Sequence, residues 1–260
     1  KGGDIVRIEL LSHDKSKDSD QPFVMLENDA KRTYVAQSGL IGLNGPDSSR
    51  GGRPLYAVEK TAYTLADAKG VQDQKGQSEK VLNVPMVFKT PEGVEIIKTF
   101  TFTQGQYPIV VKHQVINRSQ QSWQGQMFGQ LKRDNSEDPG KSSQGIFTLG
   151  TFLGGAWGTP DAHYNKLKFA NFSEEKVNTE AKGGWVAIVQ HYFVSAWIPG
   201  NLKLTQANGQ PYVAKLESRQ SADHMNIIGF TSPVINVPAG TSMEVDAKLY
   251  SGPKVQSELK

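Results

Sequence analysis

The sequence contains no cysteine among its 260 residues. Disulfide cross-links, thiolate metal ligands and cysteine nucleophiles are therefore excluded. The five histidines are scattered, and no two of them stand at the spacing of a metal-binding motif. The lack of cysteine is compatible with an oxidising compartment but does not establish one.

Neither sign of charge predominates, because 29 basic residues are balanced by 26 acidic residues to give a net charge of +3. This balance excludes a nucleic-acid binder that works through a strong electrostatic footprint. A hydrophobic fraction of 37% also excludes disorder as the overall state. The length is sufficient for one sizeable core, and no stretch has the composition of a linker. We therefore expect a single domain spanning residues 1–260.

Long apolar runs suited to a membrane span are also missing. Residues 142–160, 183–202 and 224–243 carry no Asp, Glu, Lys or Arg, but each contains glycine, proline or polar residues at a density that a spanning helix does not tolerate. We expect these stretches to form the interior of a sheet. The first residues, Lys1–Asp4, show no signal-peptide pattern, so we expect the sequence to be a piece of a longer protein.

Short runs of β-branched and aromatic residues, separated by turn residues, dominate the pattern. The clearest case is a hairpin with arms at 81–90 and 94–104 around the turn at 91–93. In the second arm, Lys98 shares its parity with Phe100 and Phe102, and the next strand, 109–117, places His113 on the parity of its apolar residues. Side chains of one parity share one face of a strand.

The remaining runs complete a mainly β chain. Further strands are predicted at 4–11, 34–37, 123–131, 146–149, 185–193, 212–216, 225–230, 234–237 and 243–250. Helical signals are limited to Ser173 as an N-cap followed by Glu174 and Glu175, and to the stretch 160–167 that begins with proline. This pattern predicts a large β-sandwich with one or two short helices.

No catalytic motif is present. The glycine pairs match neither a P-loop nor a dinucleotide fingerprint, and no nucleophile elbow precedes a serine. A pair of carboxylates for sugar chemistry remains open, because 26 acidic residues provide many combinations. We therefore predict no catalytic, cofactor-binding or metal-binding residues and no cofactor.

The best candidate for a binding surface is the stretch 151–172, which combines glycine, aromatic and proline residues in a predicted loop. Trp157 is the tryptophan most suited to line a groove, because it follows a glycine pair and precedes Gly158 and Pro160. The predicted partner- or ligand-contact residues are Phe152, Trp157, Tyr164, Lys166 and Lys168.

Several strings of residues carry a resemblance to a known family. In chain order they are Lys1-Gly2-Gly3-Asp4-Ile5, Gln37-Ser38-Gly39-Leu40, Gly45-Pro46-Asp47, Arg53-Pro54-Leu55-Tyr56, Val84-Pro85-Met86, Lys98-Thr99-Phe100, Phe128-Gly129-Gln130-Leu131-Lys132, Thr159-Pro160-Asp161, Lys182-Gly183-Gly184-Trp185 and Ala196-Trp197-Ile198-Pro199. Together they resemble the large periplasmic domain of the YidC family of bacterial membrane-protein insertases.

The resemblance implies a β-supersandwich, similar in shape to galactose-mutarotase-like domains, on the periplasmic side of the inner membrane. It implies that the full protein inserts nascent inner-membrane proteins, alone or with the Sec translocon, through a membrane part that lies outside this sequence. It also implies contacts of this domain with the Sec accessory proteins SecD and SecF, and a cleft for a peptide or another ligand.

Three functions follow as hypotheses. The first is an interaction module of a membrane-protein insertase that is not itself an enzyme. The second is a carbohydrate-binding or carbohydrate-active β-sandwich, which two converging carboxylates, or a histidine with a glutamate, in the deepest cleft would favour. The third is a spacer that holds the membrane spans in place, and the sequence alone does not separate it from the first.

Overall fold

The computed structural model describes residues 1–15, 19–73, 75–138, 152–200 and 212–254, and all structural statements refer to these ranges. They contain seventeen strands: Ile8–Asp14 (β1), Pro22–Asn28 (β2), Thr33–Ile41 (β3), Lys69–Gln72 (β4), Ser78–Lys89 (β5), Val94–Thr103 (β6), Ile109–Asn117 (β7), Trp123–Arg133 (β8), Gly154–Gly158 (β9), Asn165–Lys168 (β10), Asn178–Ala181 (β11), Trp185–Val189 (β12), Phe193–Pro199 (β13), Ala214–Gln220 (β14), Asn226–Thr231 (β15), Ile235–Val237 (β16) and Ser242–Pro253 (β17). Helical structure within them is limited to 3-10 turns at Pro46–Ser48, Leu65–Asp67 and Phe169–Asn171.

The strands form two antiparallel sheets. One sheet has eight strands in the order β1-β2-β3-β8-β15-β14-β11, with β16 also paired to β8. The other has nine strands in the order β10-β9-β12-β13-β17-β7-β6-β5-β4. The two sheets pack as a sandwich, so the predicted fold class is confirmed.

Strict alternation along the central strands places the main core between the sheets. Burial alternates residue by residue along β7 and most of β6 and β8, which is the period-two pattern expected of strands with one buried face. The core draws Ile96 and Val111 from the nine-stranded sheet and Met127 and Leu131 from the eight-stranded sheet. Burial of each such side chain contributes roughly 1.5–3 kcal/mol.

The predicted hairpin is confirmed. Its arms are β5 and β6, the amide of Thr90 donates to the carbonyl of Val94 at 2.9 Å, and Gly93 adopts a φ of +98° that other residues rarely take. The strand predicted at 109–117 coincides with β7.

Other local predictions are wrong. The predicted strand 185–193 is two strands, β12 and β13, which pair across a turn at 190–192. Residues 173–175 form a turn and not a helix, and the stretch 160–167 consists of a bend followed by strand β10. Helix-start signals failed there because the same residue types also favour turns. The strand predicted at 146–149 lies outside the described residues.

Strands β2, β4, β9, β10 and β11 were not predicted from the sequence. Three of them, β4, β10 and β11, have only four residues each. A run of four residues is too short for a reliable period, so pairing with a neighbour decides its conformation. None of the helical structure in the described ranges is long and apolar enough to cross a membrane.

Trp197 connects the two sheets, and its removal should destabilise the fold. Its ring is 1% exposed, its indole Nε1 donates to the carbonyl of Gln130 at 3.1 Å, and it packs edge-on against Phe230. We expect Trp197→Ala to lower the free energy of unfolding by about 3–5 kcal/mol, measured by urea denaturation. Lys69→Ala, on an exposed edge strand, should change it by less than about 0.5 kcal/mol. A loss below 1 kcal/mol for Trp197→Ala would contradict this role.

Candidate functional site

One edge of the nine-stranded sheet is formed by β10, which pairs with β9 along Asn165–Lys168. Leu167 lies opposite Gly155 and is buried in the main core, whereas Lys166 and Lys168 are exposed. Since neighbouring residues of a strand point to opposite faces, both lysines lie on the outer face of the sheet.

Aromatic rings surround the Lys166 ammonium. Its Nζ lies 5.0 Å from the ring centroid of Phe152 and 5.7 Å from that of Tyr164, within the range of cation–π contacts. Tyr164 in turn packs against Trp185, with ring centroids 5.8 Å apart and ring planes tilted by 38°. Partial burial of Tyr164 raises the pKa of its phenol above the ordinary value, so it stays neutral. The lysine is therefore held in place by ring contacts.

An open cleft of about 710 Å³ adjoins these residues. It is lined by Phe152, Leu153, Lys166, Lys168, Phe169, Ala170, Asn171 and Glu175. The side-chain amide of Asn171 donates to the Glu175 carboxylate at 2.6 Å, so the acidic group in the lining is already hydrogen-bonded. The cleft thus offers apolar rings, two ammonium groups and the hydrogen-bonded Glu175 carboxylate to a ligand.

A third ammonium group adds to the positive charge. Burial lowers the pKa of Lys254, repulsion from Lys166 lowers it further, and attraction by Asp138 opposes the shift. Among the described residues, no carboxylate lies within ion-pair distance of Lys166, Lys168 or Lys254. We call Phe152, Tyr164, Lys166, Lys168, Trp185 and Lys254 the basic–aromatic patch.

The structure brings together four of the five predicted contact residues, Phe152, Tyr164, Lys166 and Lys168, and separates Trp157 from them. Lys166 pairs with Ala156 across the β9–β10 ladder, so both side chains lie on the outer face of the sheet. Trp157 follows Ala156 in β9, so its side chain lies on the inner face and packs against the main core. The expected exposed tryptophan in the groove is therefore not found at this position. Residue 151, the first of the predicted stretch, lies outside the described residues.

Two members of the patch were missed. Trp185 was predicted to lie in a strand and belongs to one of the strings that carry the family resemblance, but neither it nor Lys254 was predicted as a contact residue. They come from chain positions 19 and 88 residues away from Lys166, and they belong to strands that the sheet order β10-β9-β12-β13-β17 relates to β10 only through other strands. No local signal in the sequence marks this contact.

A buried polar cluster lies elsewhere, between the N-terminal segment and both sheets. The Lys98 ammonium is fully buried and donates to the carbonyls of Gly2, Gly3 and Ser38 at 2.9, 3.0 and 2.8 Å. Beside it, the Arg53 guanidinium donates to both Asp4 oxygens, to Asp47 Oδ1 at 2.7 Å and to the Ser38 carbonyl at 2.8 Å. These bonds fix residues 2–4 on the sandwich.

Many of the strings that carry the family resemblance meet in this cluster. They supply Gly2, Asp4, Ser38, Asp47, Arg53 and Lys98. Gly2 has a φ of +70°, and a Cβ there would lie 2.3 Å from the Arg53 guanidinium carbon. Gly2 is therefore required by its close packing against Arg53, and Gly3 by its close packing against Met86, and not by a phosphate.

His113 lies opposite Lys98 in the β6–β7 ladder and is fully buried. Burial, together with the positive charges of Lys98 and Arg53, lowers the pKa of its imidazole well below the ordinary value, so the ring stays neutral. Neither ring nitrogen has a hydrogen-bond partner among the described residues. The histidine is therefore enclosed in the fold.

The second cleft, of about 390 Å³, runs along β1. It contains both Glu9 and His13, the residue types that would favour sugar chemistry. The Glu9 carboxylate, however, accepts two hydrogen bonds from Arg7, and the His13 ring packs edge-on against Phe193. Within the described ranges, no three acidic or histidine side chains are grouped to hold a metal ion.

The chain thus folds as a two-layered antiparallel β-sandwich, and ammonium groups and aromatic rings line one edge of its nine-stranded sheet. The sequence matches the family of the YidC periplasmic domain over residues 1–260, and the chain belongs to this family.

Curated relatives match the sequence along nearly its whole length. The Membrane protein insertase YidC of Pseudomonas putida (strain GB-1) is 42% identical over 260 residues, which cover 100% of this chain and 42% of that protein. The protein of the same name from Marinomonas sp. (strain MWYL1) is 41% identical over 258 residues, covering 99% and 43%. The chain thus spans less than half the length of the relatives it matches.

Solved structures give more distant likenesses. A galactose mutarotase related enzyme from Lactobacillus acidophilus has a TM-score of 0.41 and 9% identity, covering 68% of this chain and 72% of that one. An alpha-galactosidase from Lactobacillus brevis has a TM-score of 0.47 and 7% identity, covering 94% and 31%. Likenesses at this level do not bear on activity.

The buried Lys98 should make stability depend on pH. Burial lowers the pKa of its ammonium from 10.5 to about 7, with Arg53 acting in the same direction and Asp4 and Asp47 opposing. Between pH 7 and 10.5 the unfolded chain therefore binds more protons than the native chain, so the free energy of unfolding should rise with pH. The contribution of Lys98 should approach about 1.4 kcal/mol per pH unit.

Urea denaturation between pH 7.5 and 9 checks this expectation against Lys98→Met, which removes the titrating group while nearly keeping its length. The variant should lose most of the slope, whereas Lys69→Met, at an exposed position, should keep it. Equal slopes for Lys98→Met and the unsubstituted protein would show that Lys98 does not titrate in this range.

Proposed function

We propose that this chain is the periplasmic interaction module of a membrane-protein insertase at the bacterial inner membrane. The family match and the names of the relatives support this proposal. Because the chain spans less than half of those relatives, insertion of nascent inner-membrane proteins is assigned to the rest of the protein. The module itself binds and is not catalytic, and residues 1–260 act as one domain.

The observation that carries the interaction role is the uncompensated charge of the basic–aromatic patch. Burial lowers the pKa of the Lys254 ammonium, and repulsion from Lys166 lowers it further. Such an arrangement suits a surface that meets a partner of complementary charge. The partners that we propose for it are the accessory proteins SecD and SecF, and through them the Sec translocon.

Aromatic residues strengthen the case for protein contact. Phe152 and Tyr164 hold Lys166 in place, so less side-chain entropy is lost when a partner binds. Interfaces are enriched in tyrosine, tryptophan and phenylalanine relative to the rest of a protein surface. The exposed fraction of Tyr164, 52%, leaves its ring available for such a contact.

Photo-crosslinking tests the proposal in membranes that contain the full-length protein. A photoreactive residue in place of Tyr164 should give an adduct with SecD or SecF. The same residue in place of Val71, an exposed apolar side chain on β4 at the opposite edge of the same sheet, should give at least fivefold less. Equal yields at both positions, or no adduct at Tyr164, would contradict the proposal.

The carbohydrate hypothesis is not favoured, because Glu9 and Glu175 in the two clefts are already bound by Arg7 and Asn171. Calorimetric titration of the chain with galactose and glucose should give no heat of binding. A saturable heat that disappears in Glu9→Gln would support this alternative.

The spacer hypothesis differs from the interaction module in one measurable respect. If the domain is only a spacer, another domain of the same length should replace it without loss of accessory-protein binding or of insertion. If the interaction role holds, replacing residues 1–254 by an unrelated β-sandwich should abolish binding of the accessory proteins while leaving insertion of a simple substrate measurable. Retention of accessory binding by that chimera would favour the spacer.

A further inference from the structure

Strand β10 has a free edge as well as a charged face. In the part of the chain that the structure describes, it pairs only with β9 and ends the nine-stranded sheet. A free edge presents unpaired backbone groups to which another extended segment can add as a strand. Tyr164, Lys166 and Lys168, which belong to the patch, lie at or directly before this strand.

The charges at this edge are not neutralised from within. Glu175 is bonded to Asn171, and Asp138 accepts hydrogen bonds from Arg133 at 2.6 Å and from Gln190 at 2.7 Å. Lys166 and Lys168 are therefore without a carboxylate partner among the described residues. Their spacing of two residues places them on one face, about 7 Å apart along the strand.

We propose, on the basis of the interaction role given above, that β10 binds an extended acidic segment of the partner as an additional strand. Cross-strand neighbours share a face, so two carboxylates two residues apart on that segment would lie opposite Lys166 and Lys168. The next alternate residue would lie opposite Tyr164, whose ring suits an aromatic or aliphatic side chain. The recognised pattern is acidic–any–acidic–any–apolar, in either chain direction.

A synthetic peptide probes this pattern directly. Its eight residues place two glutamates two positions apart and a phenylalanine at the next alternate position, within threonines. We expect saturable binding to the chain by fluorescence anisotropy, weakened at least fivefold when salt rises from 0.05 to 0.5 M. A peptide with lysine in place of both glutamates should not bind measurably.

Two protein variants, each with lysine replaced by glutamate, distinguish peptide binding at the patch from attraction by the overall charge of the chain. The double variant Lys166→Glu/Lys168→Glu should weaken peptide binding at least tenfold. Lys69→Glu, on the exposed edge strand β4 of the same sheet, should change it less than twofold. Both variants should keep the urea midpoint of the unsubstituted chain, since all three lysines are exposed. Equal weakening by both variants would overturn the site.

Peptides with methylated backbone amides test whether the peptide binds by forming backbone hydrogen bonds with β10. Methylation of alternate backbone amides on one edge of the peptide, and separately on the other, should abolish binding in one of the two series. If both methylated peptides bind as well as the parent, strand addition is refuted. Vesicles with anionic headgroups that bind the chain through Lys166 and Lys168 while the peptide does not would instead assign the patch to a membrane surface.

The crosslinking experiment distinguishes failure of this inference from failure of the proposed function. If the adduct at Tyr164 forms and Lys166→Glu/Lys168→Glu reduces it at least fivefold, both stand. If the adduct forms and persists undiminished in the double variant, the interaction role stands and recognition of an acidic segment is wrong. If no adduct forms in the unsubstituted protein, the interaction role itself fails.

Discussion

The alternation of side chains along one four-residue strand determines the candidate site. Leu167 enters the core between the sheets, and this burial fixes which face of β10 is turned outward. Lys166 and Lys168 must then project from the outer face, where the rings of Phe152 and Tyr164 contact Lys166. A shift of one residue would bury two ammonium groups and expose the leucine, so the hydrophobic core also holds the charged surface in place.

The buried cluster around Lys98 and Arg53 fixes a different part of the molecule. It joins residues 2–4 to β3 and β6 through hydrogen bonds to charged donors, which are individually stronger than bonds between neutral groups. Burying an ammonium is costly unless its donors are satisfied, and here three carbonyls satisfy them. The family-specific strings thus encode a structural junction, while the proposed contact surface lies at the far edge of the same sheet.

These two regions differ in how their charges are paired. In the Lys98 cluster Arg53 forms ion pairs with Asp4 and Asp47, whereas the lysines of the basic–aromatic patch are exposed and form no ion pair within the described residues. Matched buried charges fix a conformation, and unmatched exposed charges are available to a partner. This contrast supports an interaction role better than a catalytic one, because the acidic groups of both clefts are already occupied by Asn171 and Arg7.

Local patterns in the sequence were enough to predict the β-sandwich class, the β5–β6 hairpin, strand β7 and the resemblance to the family, because these depend on period-two patterns and on strings of adjacent residues. The sequence also pointed to Phe152, Tyr164, Lys166 and Lys168 through local composition. Only the tertiary structure decided that Trp157 faces the core, and that Trp185 and Lys254 join Lys166 from 19 and 88 residues away. Strand pairing over such separations depends on how whole sheets assemble, and local periodicity carries no record of it.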